Sequence, residues 1–145
     1  MRTCLGVLAL WLAASAPALS QGFDVTVPAL GAVTTTVGMS ASMASACTEE
    51  GKFPPGQAST PFTVWAHMEY DTLARDISIA LEHRHFGPTG ALLDQYAENK
   101  VFRQGDGTLC MRWEFYKLNG YGDHRMLFFV NGVEVGRYTV SLEPR

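Results

Sequence analysis

The stretch from His124 to Leu142 constrains this chain more than any other, because Asn131-Gly132 stands between two runs rich in Val, Phe and Tyr. Both central positions of a type I′ turn require φ > 0, which Asn and Gly tolerate best, so the stretch predicts a β-hairpin. Placing Val130 opposite Val133 puts Phe128 opposite Val135 and gives the pair one apolar face. Gly136 breaks the alternation; a bulge at Gly136 and Arg137 returns Tyr138, Val140 and Leu142 to the face of Val133 and Val135. That face needs a partner from the rest of the chain.

The preceding segments supply candidates. Phe23, Val25 and Val27 alternate within Gln21 to Leu30 and are stopped by Pro28, as in an edge strand. A second strand runs from Ala32 to Met43, and the Gly- and Pro-rich stretch Thr48 to Thr60 reads as a loop. Between Pro61 and Tyr70, Phe62, Val64, Ala66, Met68 and Tyr70 form one row and Thr63, Trp65, His67 and Glu69 the other. Alternation alone leaves open which row faces inward. Ile77, Ile79 and Leu81 begin a strand that continues through His83 and His85 to the turn Gly87-Pro88-Thr89-Gly90. Ala91 to Arg103 keeps no clean period and reads as a returning strand followed by an irregular stretch. Leu109, Met111, Trp113 and Phe115 make the clearest amphipathic strand. Seven or eight short strands without a helix predict an all-β fold, a two-sheet antiparallel sandwich in which each apolar face covers the other.

The amino terminus predicts export. Arg2, an apolar run from Leu5 to Ala14 and the small residues up to Ser20 have the plan of a signal peptide. Cleavage after Ser20 leaves a single domain over residues 21–145 without a membrane span, since the apolar run is shorter than the ~20 residues of a bilayer crossing. The compartment implied is periplasmic or secreted. Past the leader the chain has ten Lys plus Arg against fourteen Asp plus Glu, net −4. Its arginines are scattered, which argues against nucleic acid as a partner. Cys4 belongs to the leader, and Cys47 and Cys110 remain to form one disulfide.

Cys47, Trp65 eighteen residues on and Cys110 sixty-three residues after the first resemble the cysteine and tryptophan pattern of an immunoglobulin domain. Thr108 stands where that family has a tyrosine, two residues before its second cysteine. Cys110 also alternates with Leu109 and Met111, so the bond is expected on the outside of a sheet. The last third of the chain, Trp113 to Tyr116 and Phe128 to Val140, is similar to the ending of small bacterial exported immunoglobulin-like sandwich domains of unassigned function. The resemblance implies a fold and carries over no site residue.

For function, His83 and His85 are the first candidates, because alternate residues of a strand share a face and two imidazoles side by side begin many Zn or Cu sites. They continue the row of Ile77, Ile79 and Leu81 and are expected where the core opens to solvent. His124, at the open end of another strand, or His67 would supply a third ligand, and Met68 and Met126 would suit copper. Trp65, His67 and Glu69 share a face and would make a binding platform if that face is the outer one. No nucleophile elbow, HExxH or phosphate loop is present, so no catalytic residue is assigned and no cofactor is expected apart from the metal alternative. The expected role is a non-enzymatic binding or accessory module engaging another protein or an envelope component.

Overall fold

The computed structural model describes residues 20–40, 42–48, 62–115 and 121–142. The predicted leader, apart from Ser20, and most of the predicted loop over Thr48 to Thr60 lie outside the described residues. Nine strands are described: β1 (Ser20–Gly22), β2 (Asp24–Val27), β3 (Gly31–Ser40), β4 (Phe62–Tyr70), β5 (Ile77–Phe86), β6 (Leu92–Phe102), β7 (Thr108–Phe115), β8 (Gly122–Val130) and β9 (Val133–Leu142), with one 3-10 turn at Met43–Ser45. They form two antiparallel sheets, ordered β1-β9-β8-β5-β6 and β2-β3-β4-β7. The core lies between them. Phe62, Val64, Ala66 and Met68 from one sheet meet Ile79, Leu81, Met126, Phe128 and Val130 from the other. The row containing Trp65 therefore faces away from the core.

The strand count exceeds seven or eight because the predicted edge strand from Gln21 is two strands in different sheets. β1 pairs with β9, and β2 pairs with β3. Phe23 between them bonds both ways: its N–H donates to the Val135 carbonyl at 3.1 Å, and its own carbonyl accepts from Thr35 N–H at 3.2 Å. This crossing closes one side of the sandwich, and two facing glycines allow it. Gly22 is opposite Gly136. A Cβ on Gly22 would lie 1.7 Å from the Thr35 carbonyl oxygen, and one on Gly136 would lie 2.5 Å from Val37 Cγ2. No side chain fits at either point.

The closing hairpin turns at Asn131 and Gly132, with φ of 47° and 79°, and Val130 is opposite Val133. Its bulge comes earlier than the predicted Gly136-Arg137. The register shifts between Phe128 and Phe129, so Phe128 faces Gly136 and Val135 is the extra residue. The cause is the crossing strand, which draws the Val135 carbonyl onto Phe23 and fills the space beside Gly136. Asn131 holds the turn to two other segments: its Oδ1 accepts from Ala80 N–H at 2.9 Å and its Nδ2 donates to the Pro28 carbonyl at 2.7 Å. Asn131→Ala removes both bonds and leaves an alanine in a left-handed backbone, an expected cost of about 2 kcal/mol that a urea unfolding midpoint would register.

β6 differs from its predicted half-strand by running over eleven residues, with one bulge at Leu93. Its periodicity is absent for a physical reason. All its residues but Phe102 are exposed, so neither face is selected for apolar side chains. β6 ends the five-stranded sheet as β7 ends the four-stranded one, and together they flank the side that the crossing strand does not close.

Candidate functional site

Cys47 and Cys110 are joined, with their Cα atoms 6.0 Å apart. Cys110 is in register with His67 on the face opposite Leu109, Met111 and Trp113, so the bond ties the segment after β3 to the outside of the four-stranded sheet. Arg112 reinforces the tie by donating from Nη1 to the Met43 carbonyl at 3.3 Å. Trp65 shares this outer face but is only 2% exposed. Gly38, opposite Trp65, makes room for the indole, since a Cβ there would lie 2.3 Å from its Cζ2. Of the predicted platform, His67 is half-buried and Glu69 exposed, and Trp65 presents no ring to solvent.

The three predicted metal ligands are buried, and two of them, His85 and His124, meet. His83, His85 and His124 are 4%, 5% and 0% exposed, in place of the open strand end expected from sequence. His85 lies opposite Met126 on β8, which brings its Nε2 within 3.0 Å of Nδ1 of His124. One of these nitrogens donates and the other accepts, so the contact requires at least one neutral ring. His83 takes a different environment. Its ring stacks on Trp113 at 4.8 Å between centroids and tilts against Phe128 at 5.4 Å. Burial, with a smaller contribution from the neighbouring His85, pushes its pKa down to about 3. Burial also lowers His85, helped by His124 and opposed by Asp94. No group of three or more His, Cys, Asp or Glu is arranged around a common metal position among the described residues. His67 belongs to the other sheet's outer face and does not join them. Met68 and Met126 are fully buried in the core.

Sequence reasoning missed the feature that connects these residues to solvent. Tyr96 of β6 leans on Trp113 with centroids 4.7 Å apart, continuing the row Phe128, His83, Trp113 out to the rim. Beside this row a groove of about 540 Å³ opens between β6 and β7. Leu81, His83 and Phe128 form its floor; Tyr96, Glu98 and Lys100 stand on one wall, and Cys110, Arg112 and Glu114 on the other. The second wall is a strand edge. Tyr70 N–H donates to the Gly107 carbonyl at 2.9 Å, and antiparallel alternation then turns the backbone groups of Cys110, Arg112 and Glu114 away from β4. Those groups point towards the groove. Pairing β6 with β5 sets Tyr96 opposite His83, and the absence of a period in β6 hid that side chain's role from the sequence.

No known family model matches the chain, and no curated relative matches it. Among solved structures, the Pseudomonas fluorescens alkylpurine DNA glycosylase AlkC bound to DNA containing an abasic site analog is similar at 14% identity and a TM-score of 0.45, over 59% of this chain and 26% of that one. At that level nothing is carried over from it.

Proposed function

We propose that this chain is an exported, non-enzymatic binding module of immunoglobulin-like type, acting in the periplasm or outside the cell, whose open side takes an extended segment of another protein or of an envelope component. The observation that carries the reading is the groove between β6 and β7. It has an aromatic floor, charged walls of both signs and, along β7, backbone groups with no strand partner among the described residues. Such an edge accepts an added strand through main-chain hydrogen bonds, while the adjoining groove selects side chains. The disulfide agrees with an oxidising compartment and hence with the export expected from the amino-terminal sequence.

Panning a library of random extended peptides against the oxidised chain tests this. Peptides with an aromatic or aliphatic residue at alternate positions are expected, and Trp113→Ala should weaken them by about tenfold or more, as the loss of a central aromatic anchor does. Failure to enrich any peptide, or equal binding to the Trp113→Ala variant, would count against the reading.

A second reading rests on the 3.0 Å approach of His85 to His124. Two imidazole nitrogens at that separation offer half of a tetrahedral Zn or Cu(I) set, with His83 two residues along the same strand. Calorimetric titration with zinc separates the readings. Stoichiometric uptake that is lost in His85→Ala supports the metal; heat equal to a buffer blank removes it.

A further inference from the structure

The edge of β6 is self-complementary, and we infer that it pairs with β6 of a second copy of this chain. β6 is eleven residues long, exposed on both faces, and bears Leu93 and Val101 at 47% exposure each. Its outer edge has no partner strand among the described residues. A long edge of this kind is a ready template for another strand.

The direction of its backbone groups follows from Ala80. The Ala80 N–H donates to Asn131 Oδ1 and its carbonyl accepts from Asn131 N–H, so both point away from β6. Asn99, the residue opposite Ala80, then turns its own N–H and carbonyl to the free edge, as do Gln95 and Ala97 by alternation. Consistent with this, the Gln95 N–H is met by the carboxylate of Asp94 at 2.9 Å and not by β5.

An antiparallel pair with its two-fold axis at Ala97 uses these groups. Ala97 faces Ala97 of the second copy and Gln95 faces Asn99, each pair exchanging hydrogen bonds as the Gln95 N–H leaves the Asp94 carboxylate, which turns to Lys100. Leu93, the extra residue where β6 bulges against His85 and Phe86, comes level with Val101. On the inner face, Asp94 meets Lys100 and Tyr96 meets Glu98, and two-fold symmetry repeats each contact. The residue beside its own symmetry mate is the small, uncharged Ala97. Shifting the axis to Tyr96 would oppose Asp94 and Glu98, and shifting it to Glu98 would oppose two copies of that carboxylate. The charge pattern thus disfavours a slip of the axis by one residue in either direction. The result is a continuous ten-stranded sheet across two copies. Its backbone pairing uses the edge of β6 and not the edge of β7, while Tyr96, Glu98 and Lys100 also stand on the groove's wall.

Sedimentation equilibrium of the oxidised chain should give a dimer. Lys100→Asp replaces two opposite-charge contacts by two like-charge ones and should weaken the dimer by about tenfold or more, while the exchange Asp94→Lys with Lys100→Asp restores it. Ala97→Pro, which deletes an N–H aimed at the free edge, should yield a monomer with an unchanged circular dichroism spectrum. A monomer at every concentration up to about 1 mM would overturn the inference. So would a dimer indifferent to Lys100→Asp, or one that the double exchange fails to restore.

Discussion

Lowering the pH from 7 to 4 is expected to remove about 3 kcal/mol of stability through His83 alone. In the unfolded chain His83 titrates near the ordinary histidine value of about 6.5, whereas burial between Trp113 and Phe128 pushes it down to about 3 in the fold. Between those values the unfolded chain binds the proton and the folded one does not. Stability is therefore intact above the unfolded pKa and falls as the pH drops below it, at about 1.4 kcal/mol per unit, levelling off near the folded pKa. His85 is lowered as well, chiefly by burial, and adds loss in the same direction. Urea unfolding midpoints recorded across this range would follow the effect. In His83→Leu, which continues the apolar row of Ile79 and Leu81, the slope should flatten towards the remainder due to His85. Parallel slopes in the two proteins would show that His83 is protonated inside the fold.

Breaking the disulfide with Cys47→Ser and Cys110→Ser is expected to cost about 4 kcal/mol. The bond closes a loop of 63 residues in the unfolded chain, and the chain-entropy model assigns most of the stabilisation to that restriction. A domain of this size has about 5–15 kcal/mol in all, so the substitution takes a large share. The loss has a local side. The described segment between β3 and the disulfide is tied to β7 by that bond and by the Arg112 contact to Met43, and amide exchange should quicken there before it does in β4. Equal melting temperatures with and without reductant would refute the assignment.

Much of the fold could be read from residues whose strand has one inward face. The Asn131-Gly132 turn, the alternating rows of β4, β5 and β7 and the outward position of Cys110 all follow from the period-two rule, because burial selects apolar side chains on one side only. What escaped was set by contacts that leave no period. Phe23 joins both sheets through backbone bonds, which carry no side-chain signature. The bulge at Val135 depends on where that crossing strand lies. β6 has no core face, so an eleven-residue strand looked irregular, and Tyr96 went unnoticed with it. Alternation leaves Trp65 on either face; it lies on the outer one, and Gly38 yields space for its indole from the next strand, a contact across sequence that alternation does not report. For the site, the shared strand and spacing brought out His83 and His85; their pairing with different neighbours, one with aromatic rings and one with His124, became visible only when β5, β7 and β8 were set side by side.

The open side of the sandwich is the central claim, and backbone chemical-shift mapping with the tightest peptide from the library addresses it most directly. The account predicts shifts in the amides of Cys110, Arg112 and Glu114, in the Trp113 indole and along the inner face of β6, with new protection of the β7 amides from solvent exchange. Shifts gathered instead on the outer face around His67 and Glu69, or at the crossing of β1 and β2, would contradict it.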